Sequence, residues 1–315
     1  MGALEQAIRR SPDVWEPWLV FADWLSERGD VRGLLIGLEH RLATVRLSAE
    51  QQGRLRGEIE ALIDAHQASW AIAELPEAWG VEWRHGFVVG LSLPLDEARV
   101  AALPRVLVDP AARLLMNLRV QFEPASGGDD DDVDFDEAYE PDPVPANLLR
   151  SLFELDLGHV RALAFEYAPI GAAGVELLAG WSGLSQLRAL DLRYNELGDA
   201  GVAPLFRSGR LHELRTLKLQ RNRLGVAGAR ALASAPSLDR LTVLDLRDNP
   251  IGRDGALALA AASQLRGLEA LYLHRSDIGL AGARALAESE HLPLHIRRYW
   301  AGQWSAADDR ERASD

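Results

Sequence analysis

The chain has 315 residues, with 34 basic and 47 acidic side chains giving a net charge of −13, and no cysteine. That length suits about two domains or one elongated array, and a chain of this size buries enough apolar surface to fold without staples. The lack of cysteine excludes disulfides, thiolate metal sites and cysteine nucleophiles. The acidic balance argues against general nucleic-acid binding. No apolar run reaches about 18 residues, so no membrane span is expected. The opening MGALEQAIRR lacks an apolar signal core, so a cytoplasmic location is expected.

Residues 1–80 read as a helical N-terminal cap. They hold five of the nine tryptophans: Trp15, Trp18, Trp24, Trp70 and Trp79. Trp18, Phe21 and Leu25 are spaced to share one helical face. Arg28-Gly29 reads as a helix stop and Asp30 as the cap of the next helix. A longer helix is expected from Leu47 to Ala73. The run from Trp18 to Gly33, centred on ADWLSERGDVRG, resembles the short repeat-companion domain with core ADWLxERGDxRG, which precedes leucine-rich and other repeats in some bacterial proteins. Trp83-Arg84-His85-Gly86-Phe87 is similar to the entry strand that follows that domain, with Arg84-His85 where two arginines are usual. The resemblance implies a bacterial cytoplasmic protein and brings no activity with it.

From residue 81 to 290 the chain reads as an array. Strand-like segments surround Leu91 and, 27 residues on, Leu118, with helices expected at 95–107 and 145–155. Leu163 then follows after one period of 27 plus 18 residues, so an acidic insertion of about 18 residues interrupts an otherwise regular unit at 123–145. This stretch carries ten acids, from Glu123 to Asp142, and no base, which leaves only −3 for the rest of the chain. Its charge, with Gly127 and Gly128 and with Pro141, Pro143 and Pro145 at its end, reads as a flexible loop suited to attracting a basic partner. Asp130, Asp132, Asp134 and Asp136 alternate as calcium ligands can, but the turn glycine and closing glutamate of an EF-hand are not at their spacing.

Stretches starting at Leu187, Leu214, Leu241 and Leu268 read LRALDLRYNELGDAG, LRTLKLQRNRLGVAG, LTVLDLRDNPIGRDG and LEALYLHRSDIGLAG. The same position holds Asn195, Asn222, Asn249 and Ser276, and an earlier copy from Val160 puts Ala168 there. The pattern resembles the leucine-rich repeat, LxxLxLxxNxLGxxG, in the helix-containing subtype of ribonuclease inhibitor and Ran GTPase-activating proteins. Leu190 and Leu192 alternate with Asp191 and Arg193, which makes a short strand with one buried face. Val175, Leu177 and Leu178, and later Ala229, Leu232 and Ala233, follow helical spacing. Gly198 separates strand from helix, and Gly201 lets the helix pack closely. One strand and one helix cannot bury their own apolar faces, so the copies must stack. The fold class is therefore α/β, a leucine-rich-repeat solenoid behind a helical cap. The asparagines are expected inside the turns as a structural ladder, bonding backbone groups that no strand reaches.

Residues 291–315 read as a final strand or cap around Tyr299, Trp300 and Trp304, with a mobile tail after Ser305. Chemistry is sparse. There is no phosphate loop, no HExxH and no GxSxG elbow. His291 and His295 are four apart with Pro293 between them, a poor metal pair. No catalytic residue, metal or cofactor is assigned. The side chains around the inner leucines point out of the concave sheet: Asp191, Arg193, Tyr194, Lys218, Gln220, Arg221, Asp245, Arg247, Tyr272 and His274. Tyrosine and arginine anchor interfaces, although mixed charges can also simply pair along a sheet. The reading is a non-enzymatic scaffold or adaptor that binds a protein through this face, and Arg193→Glu with Arg247→Glu is expected to abolish capture and spare the fold. Regulation of a small GTPase and self-assembly are the alternatives.

Overall fold

The computed structural model describes residues 2–121 and 143–312. The acidic run from Glu123 to Asp142, with its alternating aspartates, lies outside the described residues. The chain forms two compact units, residues 1–92 with 101–117, and residues 93–100 with 118–315.

The first unit begins with four helices, α1 (Gly2–Arg10), α2 (Trp15–Ser26), α3 (Arg32–Thr44) and α4 (Ala49–Trp70). Trp18, Phe21 and Leu25 do share the buried face of α2, packed with Ile8, Ile36, Phe87 and Leu114. The α2 helix ends where expected, with Gly29 in the left-handed region at φ 71°. Asp30 then accepts from the Arg32 backbone N–H at 3.1 Å and grips its guanidinium. Ser48 and Gln51 form a capping box at the start of α4. The segment from Trp83 to Phe87 is not a single strand. It forms a hairpin of β1 (Gly80–Arg84) and β2 (Phe87–Pro94) turning at His85-Gly86, both with positive φ. A turn of this kind needs left-handed backbone, which the glycine supplies. His85 sits against Trp15 and Trp18 and bonds the Glu39 carboxylate.

α5 (Glu97–Leu107) and β3 (Asn117–Gln121) follow, and the division between the units runs through β2, α5 and β3. After α6 (Ala146–Phe153), the second unit settles into its period. Strands β4 (Ala162–Glu166), β5 (Ala189–Asp191), β6 (Thr216–Lys218), β7 (Val243–Asp245) and β8 (Ala270–Tyr272) pair in parallel and in chain order, and β3 lies beside β4. Leu163, Leu190, Leu217, Leu244 and Leu271 stand in one register and are buried. Each strand leads to a helix: α7 (Gly171–Gly180), α8 (Gly198–Arg207), α9 (Val226–Ala233), α10 (Gly252–Ala260) and α11 (Arg275–Ala287), each packed on the next. The stacked copies share a core between one sheet face and one helix layer, as a repeat too small to seal itself requires.

Two details depart from expectation. Ser276 does not continue the asparagine position; it is exposed and already within α11. A hydroxyl cannot supply the donors and acceptor of an amide together, and among the described residues no strand lies beyond β8 to need them. The C-terminal segment covers the last repeat as a cap and not as a strand: the helix α12 (Leu294–Arg312) packs on α11 and buries Ile296 and Trp300.

Candidate functional site

The solvent side of the parallel sheet is built one residue per strand. Strand alternation turns the leucines inward and their neighbours outward. The register then aligns Asp191, Lys218, Asp245 and Tyr272 in one column. The sequence-expected residues do share one face, but their roles differ.

Asp191 and Asp245 point outward from the strands yet are only 8 % and 3 % exposed. Each carboxylate turns back to accept from the backbone N–H two residues on and is covered by the cation there. Arg193 Nε lies 2.8 Å from Asp191 Oδ1, and Arg247 Nη2 lies 2.5 Å from Asp245 Oδ2. Lys218 Nζ adds a 3.1 Å contact from the next strand to Asp191. Burial alone would push the Asp191 carboxyl up, but Arg193 and Lys218 outweigh it and hold it below the ordinary carboxylate range. The Asp245 hydrogen bond raises Arg247 above the usual guanidinium value. These acids are therefore anchors that fix Arg193 and Arg247. Arg193→Glu with Arg247→Glu is therefore expected to destabilise the fold as well as change the face. It would set new carboxylates against buried ones, at roughly 2 kcal/mol per site once the partial exposure of the arginines is discounted.

The outer edge carries a second row of side chains. Tyr167, Tyr194, Arg221 and Asp248 occupy the same place in successive repeats, each with φ between 53° and 60°. A side chain in this conformation costs about 1 kcal/mol, and the sequence gives no sign of it. Its effect is to swing these side chains into a ladder. The Tyr167 and Tyr194 rings stack at 4.4 Å and 18°, and the Arg221 guanidinium lies 5.8 Å from the Tyr194 ring. Tyr167 is 60 % exposed and Tyr272 46 %, with Arg247 at 5.2 Å from the latter ring. Gln220 and His274 both reach Asp248, at 2.8 and 3.3 Å. Arg275 leaves the face as the first residue of α11.

The asparagine ladder lies directly beneath. Asn222 Nδ2 donates to the Leu192 carbonyl at 2.7 Å, and its Oδ1 accepts from the Asn195 backbone N–H at 3.1 Å. Asn249 repeats this one step on, to Leu219 and Asn222; Asn195 donates to the Phe165 carbonyl in the same way, but its Oδ1 accepts from the Ile170 N–H, two residues past the matching position.

One column escaped sequence reasoning. Arg161, Arg188 and Arg215 stand one residue ahead of β4, β5 and β6, with Arg188 N–H donating to the Arg161 carbonyl and Arg215 N–H to that of Arg188. Extending the aligned copies to the position after their first leucine would have found it.

Among the described residues, no cluster of three or more histidine, aspartate or glutamate side chains is placed to hold a metal ion. His295 instead meets the Glu269 carbonyl. No described helix is long and apolar enough to cross a membrane. A family model described as Leucine Rich repeat matches residues 184–206, 211–233 and 241–260. These segments are leucine-rich repeats. They span α8, α9 and α10 with the strands between them, and the leucine-rich-repeat solenoid continues to either side in the same register through β4 and β8. No curated protein matches the chain.

Proposed function

We propose that this leucine-rich-repeat protein is a scaffold or adaptor that binds another protein through the concave sheet face, without chemistry of its own, in the cytoplasm. The Trp18–Gly33 resemblance adds a bacterial origin to this reading. The observation that carries it is the Tyr167–Tyr194–Arg221 ladder, exposed at Tyr167 and Arg221 and half-buried at Tyr194, set on the sheet beside charges that neutralise one another. Stacked aromatics and an arginine offer large contact area at low entropic cost, the composition of interface anchors. The buried pairs beside them would hold those anchors in place.

The test is capture of partners from host lysate by the full chain and by Tyr194→Asn with Arg221→Glu. Asparagine tolerates the left-handed backbone at 194, so circular dichroism should not change. At least one protein retained by the parent chain should be lost by the variant. Identical capture profiles would reject the face as the binding surface.

A further inference from the structure

We propose that β8 is the contact edge for a second copy of this chain, which adds its own β8 antiparallel to form a transient two-fold dimer. The inference goes beyond partner binding at the concave face and does not depend on it. β8 closes one end of the parallel sheet, and among the described residues no strand pairs beyond it. Its outward groups follow from the repeat. On β7, the Thr242 carbonyl accepts from the start of β8, the Leu246 N–H donates to Tyr272, and Leu244 stands opposite Leu271. One period of 27 residues on, the same places hold the Glu269 carbonyl, the Leu273 N–H and Leu271, so these face away from β7. His295 Nε2 meets the Glu269 carbonyl at 2.9 Å. The Leu273 carbonyl has counterparts in Leu192 and Leu219, which accept from the asparagine of the next repeat, and no such asparagine follows it. The α12 cap covers the core below but leaves this edge partly open. Leu271 and Leu273 keep 8 % and 6 % of their surface, whereas Leu190, Leu217 and Leu244, and Leu192, Leu219 and Leu246, keep none. Ala270, Leu271 and Tyr272 include no charge or proline, the features that commonly stop an edge from pairing.

Charge selects the occupant. Glu269 and Arg275 flank the strand, and both are exposed. Among the described residues neither has an ion-pair partner, and Arg275 donates only to the neutral Gln303 carbonyl, at 3.4 Å. In an antiparallel pair centred on Tyr272, Leu271 lies opposite Leu273 of the second copy, and each N–H meets the other's carbonyl. The same register brings Glu269 opposite Arg275 of the second copy, twice by symmetry, and sets the two Tyr272 side chains next to each other. A surface that complements itself in this way fits a two-fold pair of identical chains. The strand is only three residues long, so it offers about four inter-chain hydrogen bonds, and the contact is that of a transient dimer.

The experiment is sedimentation velocity on the full chain from low to high micromolar concentration. The parent should pass from monomer to dimer in that range, and hydrogen exchange should show the Leu271 and Leu273 amides gaining protection as concentration rises. Glu269→Arg sets arginine against arginine across the axis, and Arg275→Glu sets carboxylate against carboxylate. Each alone should weaken the dimer at least about tenfold. Mixed in equal amounts, the two variants pair opposite charges at both ends and should associate as the parent does. Both side chains are exposed, so circular dichroism should match the parent, and recovery in the mixture itself reports folded chains. A parent that stays monomeric throughout, a dimer untouched by both single variants, or a mixture no tighter than either variant alone would each overturn the assignment. So would loss of the dimer in Tyr194→Asn/Arg221→Glu, which would move the contact to the concave face. The two readings fail separately. A monomeric chain that still captures protein through the concave face removes only the β8 contact.

Discussion

Asn222 shows how much one side chain does here. Its amide donates to the Leu192 carbonyl and accepts from the Asn195 N–H, both in the preceding repeat, while itself fully buried. No smaller residue satisfies both neighbours, and leaving buried backbone groups unpaired costs about 1–3 kcal/mol. Asn222→Ala should lose that much in thermal melts, and Asn222→Asp at least as much, because a carboxylate faces the Leu192 carbonyl without a donor. An unchanged melting temperature for Asn222→Ala would refute the ladder's energetic role. Asp191 makes a different prediction. Its pKa is lower in the folded chain than unfolded, so the unfolded chain takes up the proton first. The stability it contributes is complete above the unfolded value, about 3.9, and is lost as pH falls through the folded value. Asp191→Asn should therefore be less stable than the parent at pH 7 in urea unfolding, and the gap should narrow at pH 3. A constant gap would mean that the Arg193 and Lys218 contacts contribute nothing.

The helices come close together because of what their smallest residues leave out. A Cβ on Gly255 of α10 would lie 2.6 Å from the Ile251 Cγ2 and 3.0 Å from the Ala229 Cβ on α9. The corresponding Gly201 is less tight, 3.5 Å from the Ala172 Cα. The sequence reading that this glycine allows close packing holds, and its strictness varies by copy. Gly255→Val should cost about 1–3 kcal/mol through overpacking, and Ala229→Gly should return part of it; calorimetric melts of the single and double variants check both. Strands and helices of the repeats were legible because each needs only one apolar face at a fixed period. The C-terminal segment was not. Its aromatics at Tyr299, Trp300 and Trp304 suit a strand or a helix equally, and only packing against α11 selects the helix.

An array of repeats is weakest at its ends, where a unit has one neighbour in place of two. Trp300, 1 % exposed, seals the C-terminal end. Trp300→Ala should lower stability by about 3–5 kcal/mol, and hydrogen exchange should show β8 losing protection before β5. Equal loss in both strands would mean that the array opens as one unit. The acidic segment supplies ten of the thirteen net negative charges, so the rest of the chain is close to neutral and its field is set by the local arrangement of charge. That arrangement divides what is readable from sequence and what is not. The 27-residue period, the inward leucines and the asparagine ladder follow from the chain alone, because burial of one face per repeat leaves a single register. Which charges are buried anchors and which face solvent does not follow. Asp191 and Asp245 occupy outward positions in the strand alternation, and only the fold turns their carboxylates back onto the backbone and under Arg193 and Arg247. Side-chain direction at a strand edge depends on neighbours one repeat away and on a left-handed backbone at Tyr194 and Arg221, and neither is written in local sequence.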